Sequence, residues 1–314
     1  MSALWIAGLL LLAEPAALDV QWEGEGFPTG RVTLVRIRVT PASPPVVSLS
    51  GALGTRPLVV LPASADRRQW LALATVGIEQ RIRPTQLHLE ATLQEGQSVE
   101  WNKPVPVVAA PYDERHLKVS KKFVKPSAAQ RKRAAREARA MAKALDTITP
   151  ARLWRGSFAR PTAGVETSPF GTKRTYNDRK KSRHMGLDLD GAVGVPVVAT
   201  NRGRVVLAAE RFYSGGTVVL DHGQGVFTLY FHMSRLDVRL GDLVEKGQGL
   251  GAVGATGQVT GPHLHFAVKF GDSYIDPARL LTLDLSTDAE DTSAKPDAAP
   301  ALPAPAVPAP LTRP

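Results

Sequence analysis

Short runs in which apolar and β-branched residues alternate with polar ones fill two stretches of the chain, and most of these runs are punctuated by glycine or proline. In the first stretch, from about Asp19 to Ala110, Arg31 to Thr40 is a clear example, and Leu87 to Leu93 and Val99 to Trp101 flank a Glu95-Gly96 turn. A period of two sends successive side chains to opposite faces, so this stretch predicts a small β-sandwich. His88, in Leu87-His88-Leu89-Glu90, falls on the polar face and reads as structural. The second stretch runs from about Arg152 to Leu281. Its strand signals lie at Gly186 to Asp190, Val195 to Thr200, Gly203 to Ala208, Thr217 to Asp221, Phe227 to Phe231 and Leu264 to Lys269. With no long helix between them, they predict an antiparallel all-β domain.

Between the two stretches the pattern changes. Lys118, Lys121, Lys122 and Lys125 lead into Pro126 and Ser127, then Arg131-Lys132-Arg133 and an alanine-rich run. Ser127 with Gln130 three residues later predicts a capping box that opens a helix reaching about Ala144. Its many cations and few large apolar residues describe a solvated connector; the functional alternative is electrostatic contact with anionic wall polymer or lipid headgroups. The apolar run from Ala3 to Ala13 has the length of a signal-peptide core and is too short to span a bilayer, so export is expected. After Ser286 the chain is Pro/Ala-rich and is expected to be a disordered tail. The expected organisation is thus mainly β: an apolar leader at 1–18, a β-sandwich-like domain at 19–112, a basic helical connector at 113–150, a second, antiparallel β-domain at 151–283 and a tail at 284–314.

Charge and cysteine usage narrow the chemistry. Lys and Arg number 39 against 29 Asp and Glu, which favours polyanionic partners. No basic-aromatic stacking pattern accompanies the charge, and an exported chain does not meet nucleic acid, so none is expected as a partner. With no cysteine among the 314 residues, any bound metal must use His, Asp or Glu.

Four of the seven histidines fall in three clusters: His184 with Asp188, His232, and His263 with His265. In a flat strand His184 and Asp188 would lie roughly 13 Å apart, too far for one ion; a helix would bring them to about 6 Å, but Gly186 and the Leu187-Asp188-Leu189-Asp190 alternation disfavour helix. The chain is therefore expected to bend near Gly186, delivering His184 from a loop and Asp188 from a strand. Asp190 shares a face with Asp188 and is the competing carboxylate. His263 and His265 share one face of a strand about 7 Å apart, a spacing that suits one ligand and one catalytic neighbour. His232 ends another apolar run, where it can reach a groove. His222, in Asp221-His222-Gly223, reads as part of a hairpin turn, and His116 carries no signal.

His184-x-x-x-Asp188, Tyr230-x-His232 and Gly261-Pro262-His263-Leu264-His265 stand in order. Between them lie Gly194-Val195-Pro196-Val197, Asp221-His222-Gly223 and the turn motif Gly241-Asp242-x-Val244-x-Lys246-Gly247-Gln248. Over roughly Pro161 to Leu281 this closely resembles the M23 zinc metallopeptidases of the lysostaphin and LytM type, with Met233 replacing the usual Leu. The resemblance implies Zn2+ held by His184, Asp188 and His265, with His232 and His263 as the two catalytic histidines that are not ligands. It also implies peptidoglycan peptides as substrate and a periplasmic, cell-envelope or extracellular location. Direct D,D-type cross-links are the preferred bond, because β-domain, helix and peptidase together resemble cell-wall growth enzymes. Degenerate members of the family act as activators of other hydrolases; all five positions are intact here, which disfavours that alternative. The segment from Gly241 to Gly251 also resembles the lysine hairpin of biotinyl and lipoyl carriers, but the turn is one that M23 domains share.

Overall fold

The computed structural model describes residues 18–41, 43–94, 96–117, 126–146, 148–176 and 180–288. The apolar N-terminal run, the lysine-rich stretch 118–125 and all but the first five residues of the expected tail lie outside the described residues.

The alternating runs of the first stretch become two four-stranded antiparallel sheets. One is ordered Leu18–Trp22, Val32–Val39, Gln69–Thr75, Val59–Pro62; the other Arg56–Pro57, Val46–Leu53, Thr85–Leu93, Ser98–Val105. Val35, Ile37, Trp70 and Ala72 of the first meet Leu87, Leu89 and Ala91 of the second in a common core, as the period of two predicts. His88 points to the opposite, half-buried face.

From Trp70 to Thr75 the strand Gln69–Thr75 is buried on both sides, because the first sheet has a second apolar face. Val32, Leu34, Leu71 and Leu73 belong to the same core cluster as Leu187, Phe266 and Ile275 of the second stretch, so the two parts share one continuous interior. Ion pairs rim this seam: Arg183 Nε to Glu79 at 2.7 Å, Arg279 Nη2 to Glu23 at 2.6 Å and Arg56 Nε to Asp272 at 3.2 Å. Tyr112 sits so close to two glycines that a Cβ at Gly171 would overlap its ring and one at Gly30 its hydroxyl. Its hydroxyl donates to the Thr29 carbonyl.

The second stretch forms an antiparallel sheet ordered Glu166–Ser168, Leu187–Asp190, His263–Phe270, Val226–Met233, Gly215–Asp221, Gly203–Arg211, Leu243–Val244, with Ser273–Ile275 also paired to His263–Phe270. A small sheet of Pro196–Val198, Gly249–Ala252 and Arg235–Leu236 lies beside it. A third unit joins the two halves of the chain. Glu114–Leu117 runs parallel to Lys173–Tyr176, which pairs in turn with Lys180–Arg183, so the strand leaving the sandwich adds to the hairpin that leads into His184.

Helix α1, Ala128–Asp146, opens with the predicted capping box: Gln130 N donates to Ser127 Oγ at 3.2 Å and Ser127 N to Gln130 Oε1 at 2.8 Å. It is not solvated all round. Met141, Ala144 and Leu145 pack on Phe227, Leu229 and Ala267 of the large sheet. Glu137 accepts from Phe212 N at 2.8 Å, and its carbonyl takes a bond from the Arg211 guanidinium. Among the described residues no helix is long and apolar enough to cross a membrane.

Candidate metal centre and active site

Three neighbouring strands set the site. The ladder places Asp188 directly opposite His265, and His265 directly opposite Phe231, so these side chains form a row across the sheet. Leu264 and Phe266 point into the core, and His263, His265 and Ala267 to the other face. His184 lies between the strands Lys180–Arg183 and Leu187–Asp190, and the chain turns through Gly186 as expected. Here the residue must be glycine. A Cβ on Gly186 would stand 2.5 Å from His265 Nε2 and 2.7 Å from the Phe266 carbonyl oxygen, and backbone cannot yield as a side chain can.

The bend brings three donor atoms together. Asp188 Oδ1 lies 2.9 Å from His184 Nε2 and 2.8 Å from His265 Nδ1, and the two imidazole nitrogens are 3.0 Å apart. Two imidazoles and one carboxylate are a donor set for a divalent transition metal, with room for a further ligand in a four-coordinate site. Donors about 2.0–2.1 Å from an ion in tetrahedral array are ~3.3 Å from one another, so an opening of a few tenths of an ångström would admit it. His184 Nδ1 donates to the Pro169 carbonyl at 2.9 Å, which fixes the tautomer that turns Nε2 inward. Asp190, the competing carboxylate, is occupied elsewhere: its Oδ1 accepts from Val165 N at 2.6 Å.

Electrostatics agrees with the geometry. Burial alone would raise the Asp188 carboxyl, but hydrogen bonds from His184 and His265 outweigh it and hold the group well below the ordinary carboxylate value. Burial lowers His265 despite its bond to Asp188. Asp188 is thus ionised and His265 neutral near pH 7.

The remaining two histidines border this triad. His263 Nδ1 donates to the Gly261 carbonyl at 2.9 Å, leaving Nε2 facing Asp188 Oδ1 at 3.8 Å. Strand alternation would send His232 to the face opposite Phe231, but its φ of 65° breaks the alternation. The ring comes within 5.0 Å of His263 and 6.1 Å of His265, centroid to centroid. A left-handed histidine is a strained conformation retained where the surroundings hold it. Ser214 and Thr256 do so: His232 N donates to the Ser214 carbonyl and Nδ1 to that of Thr256, at 2.8 and 2.9 Å. Burial pushes the His232 imidazole down to about 4, so it is neutral near pH 7 and its Nε2 is free to accept a proton. All five residues singled out in the sequence therefore converge.

His222 does not join them. Fully buried, it bonds the Arg202 carbonyl through Nδ1 and Thr228 Oγ1 through Nε2, and burial pushes it down to about 4. Two contributors escaped the sequence reading. Phe231 stacks on His265 with the rings 3° from parallel at 5.3 Å, and Arg174 reaches Asp188 Oδ2 at 3.1 Å. The apolar-aromatic run Leu229-Tyr230-Phe231 carried a signal for the first; nothing in the sequence pairs Arg174 with Asp188.

Gly186→Ala is expected to displace the His265 ring and weaken metal binding by about 10- to 100-fold, the range for changes just outside a metal's ligands. Competition against a chromophoric chelator measures it. Unchanged affinity would mean that the ring does not need this space.

The model of Peptidase family M23 matches residues 182–277. Peptidoglycan DD-endopeptidase ShyB of Vibrio cholerae is 36% identical over 111 residues, 35% of this chain and 26% of that protein. ShyA of the same organism, also a peptidoglycan DD-endopeptidase, is 39% identical over 101 residues, 32% of this chain and 24% of that one. The chain thus spans about a quarter of the length of these curated relatives. A crystal structure of a Pseudomonas aeruginosa protein assigned to peptidase M23 superposes with a TM-score of 0.58 at 26% identity, covering 82% of this chain and 96% of that one. The matched segment holds His184, Asp188, His232, His263 and His265, so residues 182–277 are a Peptidase family M23 domain.

Proposed function

We propose that this chain is a zinc-dependent endopeptidase that hydrolyses peptide cross-links or stem peptides of bacterial peptidoglycan in cell-wall remodelling, acting in the periplasm or cell envelope. The observation that carries the reading is the convergence of His184 Nε2, Asp188 Oδ1 and His265 Nδ1 beside two further imidazoles. Zinc held there supplies a Lewis acid and a water of lowered pKa. His232 and His263 each spend Nδ1 on a backbone carbonyl and keep Nε2 for the reaction. One would accept the proton of the attacking water at Nε2; the other, when protonated on both ring nitrogens, would donate from Nε2 to the oxygen on which negative charge develops. The geometry favours this pair without ordering its members. The direct D,D-type cross-link is the preferred bond, supported by the names of the two Vibrio relatives. Intact site residues disfavour a latent regulator that activates other hydrolases. Incubation with cross-linked muropeptide dimers, followed by mass spectrometry, tests the assignment: D,D cleavage gives two monomers that each keep a complete stem, and fragments cut within a stem would name a different bond.

We also infer a binding role for the basic helix, and its position supports that reading. Because α1 covers Ala267 and Leu229, it lies on the sheet face that carries His263 and His265. Through Glu137 it is tied to the hairpin whose Ser214 holds His232. Lys132, Arg136 and Arg139 are exposed on it, placing cationic charge on the catalytic face, where it would attract anionic wall polymer or lipid headgroups. Neutralising these three with Gln is expected to weaken binding to sacculi by about three- to tenfold at low salt and to have little effect at high salt. Turnover of a soluble muropeptide should be unchanged. Pelleting assays across a salt series measure the binding, and parallel losses on anionic vesicles would place the partner in the lipid.

A further inference from the structure

We infer that Arg174 is a positioning residue for the metal centre, fixing the Asp188 carboxylate so that Oδ1 alone faces the imidazoles. This rests on the reading of His184, Asp188 and His265 as metal ligands. A carboxylate rotates readily about its last bond, and its two oxygens are chemically equivalent. Something must choose between them. Asp188 Oδ1 sits against His184 and His265, whereas Oδ2 accepts from Arg174 Nη2 at 3.1 Å. The same nitrogen donates to Ser168 Oγ at 2.7 Å. Ser168 is buried on the edge strand and is the ladder partner of Asp188, and its hydroxyl lies 3.5 Å from His184 Nδ1. Arg174 therefore touches the outer side of one ligand and, through Ser168, reaches the back of another.

The strand that carries Arg174 is itself held. Lys173–Tyr176 is paired on both edges, with Glu114–Leu117 on one side and Lys180–Arg183 on the other. A planar guanidinium on a braced strand, with one nitrogen shared between Ser168 Oγ and Asp188 Oδ2, fixes direction better than a flexible ammonium. An opposing effect must be weighed: a cation near a metal ion also repels it. Positioning and repulsion predict opposite signs for loss of Arg174, so affinity decides between them.

The experiment is a titration of Zn2+ and Co2+ into metal-free wild type, Arg174→Gln and Arg174→Lys by chelator competition, with the cobalt visible spectrum and the thermal midpoint of each metal-free protein. Arg174→Gln is expected to bind about 10- to 100-fold more weakly, with shifted cobalt bands and a metal-free midpoint near that of wild type. Arg174→Lys should fall between the two. Equal or tighter binding by Arg174→Gln would overturn the inference, as would weaker binding that tracks a lowered midpoint with no change in the cobalt spectrum. If Arg174→Gln does not fold, Ser168→Ala serves in its place and is expected to weaken binding less. Wild type that binds neither metal would remove the ligand assignment itself and this inference with it; metal-binding wild type with unaffected variants would remove the inference alone.

Discussion

Asp188→Ala is expected to abolish metal binding at micromolar zinc and to reduce hydrolysis to background. Its Oδ1 lies within 3.0 Å of ring nitrogens of both His184 and His265 and 3.8 Å from His263 Nε2, so one oxygen is the common point of the cluster. The substitution removes the only anionic donor among the three proposed ligands and leaves imidazoles around a cavity. It also leaves Arg174 without its carboxylate partner in a half-buried setting, with Ser168 Oγ as the remaining acceptor. A cost of about 1–3 kcal/mol to the metal-free fold is expected from that second effect. Asp188→Asn separates the two, because it keeps the shape and one acceptor oxygen while losing the charge. Both variants should lose zinc when measured by elemental analysis after dialysis, and Asn should unfold at a higher temperature than Ala. Stoichiometric zinc in either would show that the ion is held elsewhere.

His263→Ala and His232→Ala are expected to do the reverse, keeping zinc near stoichiometry while lowering turnover by about 10²- to 10⁴-fold, the usual contribution of a positioned acid or base. The contrast is sharpest along one strand. His263 and His265 are two residues apart on the same face, yet only His265 has a ring nitrogen within 3.0 Å of both His184 and Asp188. His265→Ala should therefore lose metal and His263→Ala should not. At position 232 the backbone matters too, since the φ of 65° is costly for alanine. Asparagine tolerates that region, so His232→Asn tests the imidazole with less disturbance to the backbone. Loss of zinc in the His232 or His263 variants, with retention in His265→Ala, would reverse the assigned roles.

Much of this site was legible in the sequence because its parts are local. A histidine pair two apart on a strand must share a face, and glycine two residues before Asp188 marks a bend whichever fold surrounds it. The capping box at Ser127 and Gln130 was readable for the same reason. Long-range pairings were not. The spacing of Glu137, Met141, Ala144 and Leu145 marks one face of α1, yet the surrounding cations masked it, and nothing local says that this face meets Ala267. Likewise Val32, Leu34, Leu71 and Leu73 look like ordinary strand residues; only the structure shows that they leave the sandwich core for one shared with Leu187 and Phe266. The pairing of Lys173–Tyr176 with the strand leaving the sandwich, which braces Arg174, belongs to the same class. His232 is intermediate: its position at the end of an apolar run was visible, whereas the left-handed backbone that turns it into the groove was not.

The most direct test is muropeptide release from purified sacculi by the full chain, followed through removal of metal with a chelator and restoration with zinc, with bound zinc measured at each step. Release that rises and falls in proportion to zinc, reaching its maximum at one ion per chain, is the predicted result. Release that survives complete removal of the metal, or no release at one zinc per chain, would contradict the account.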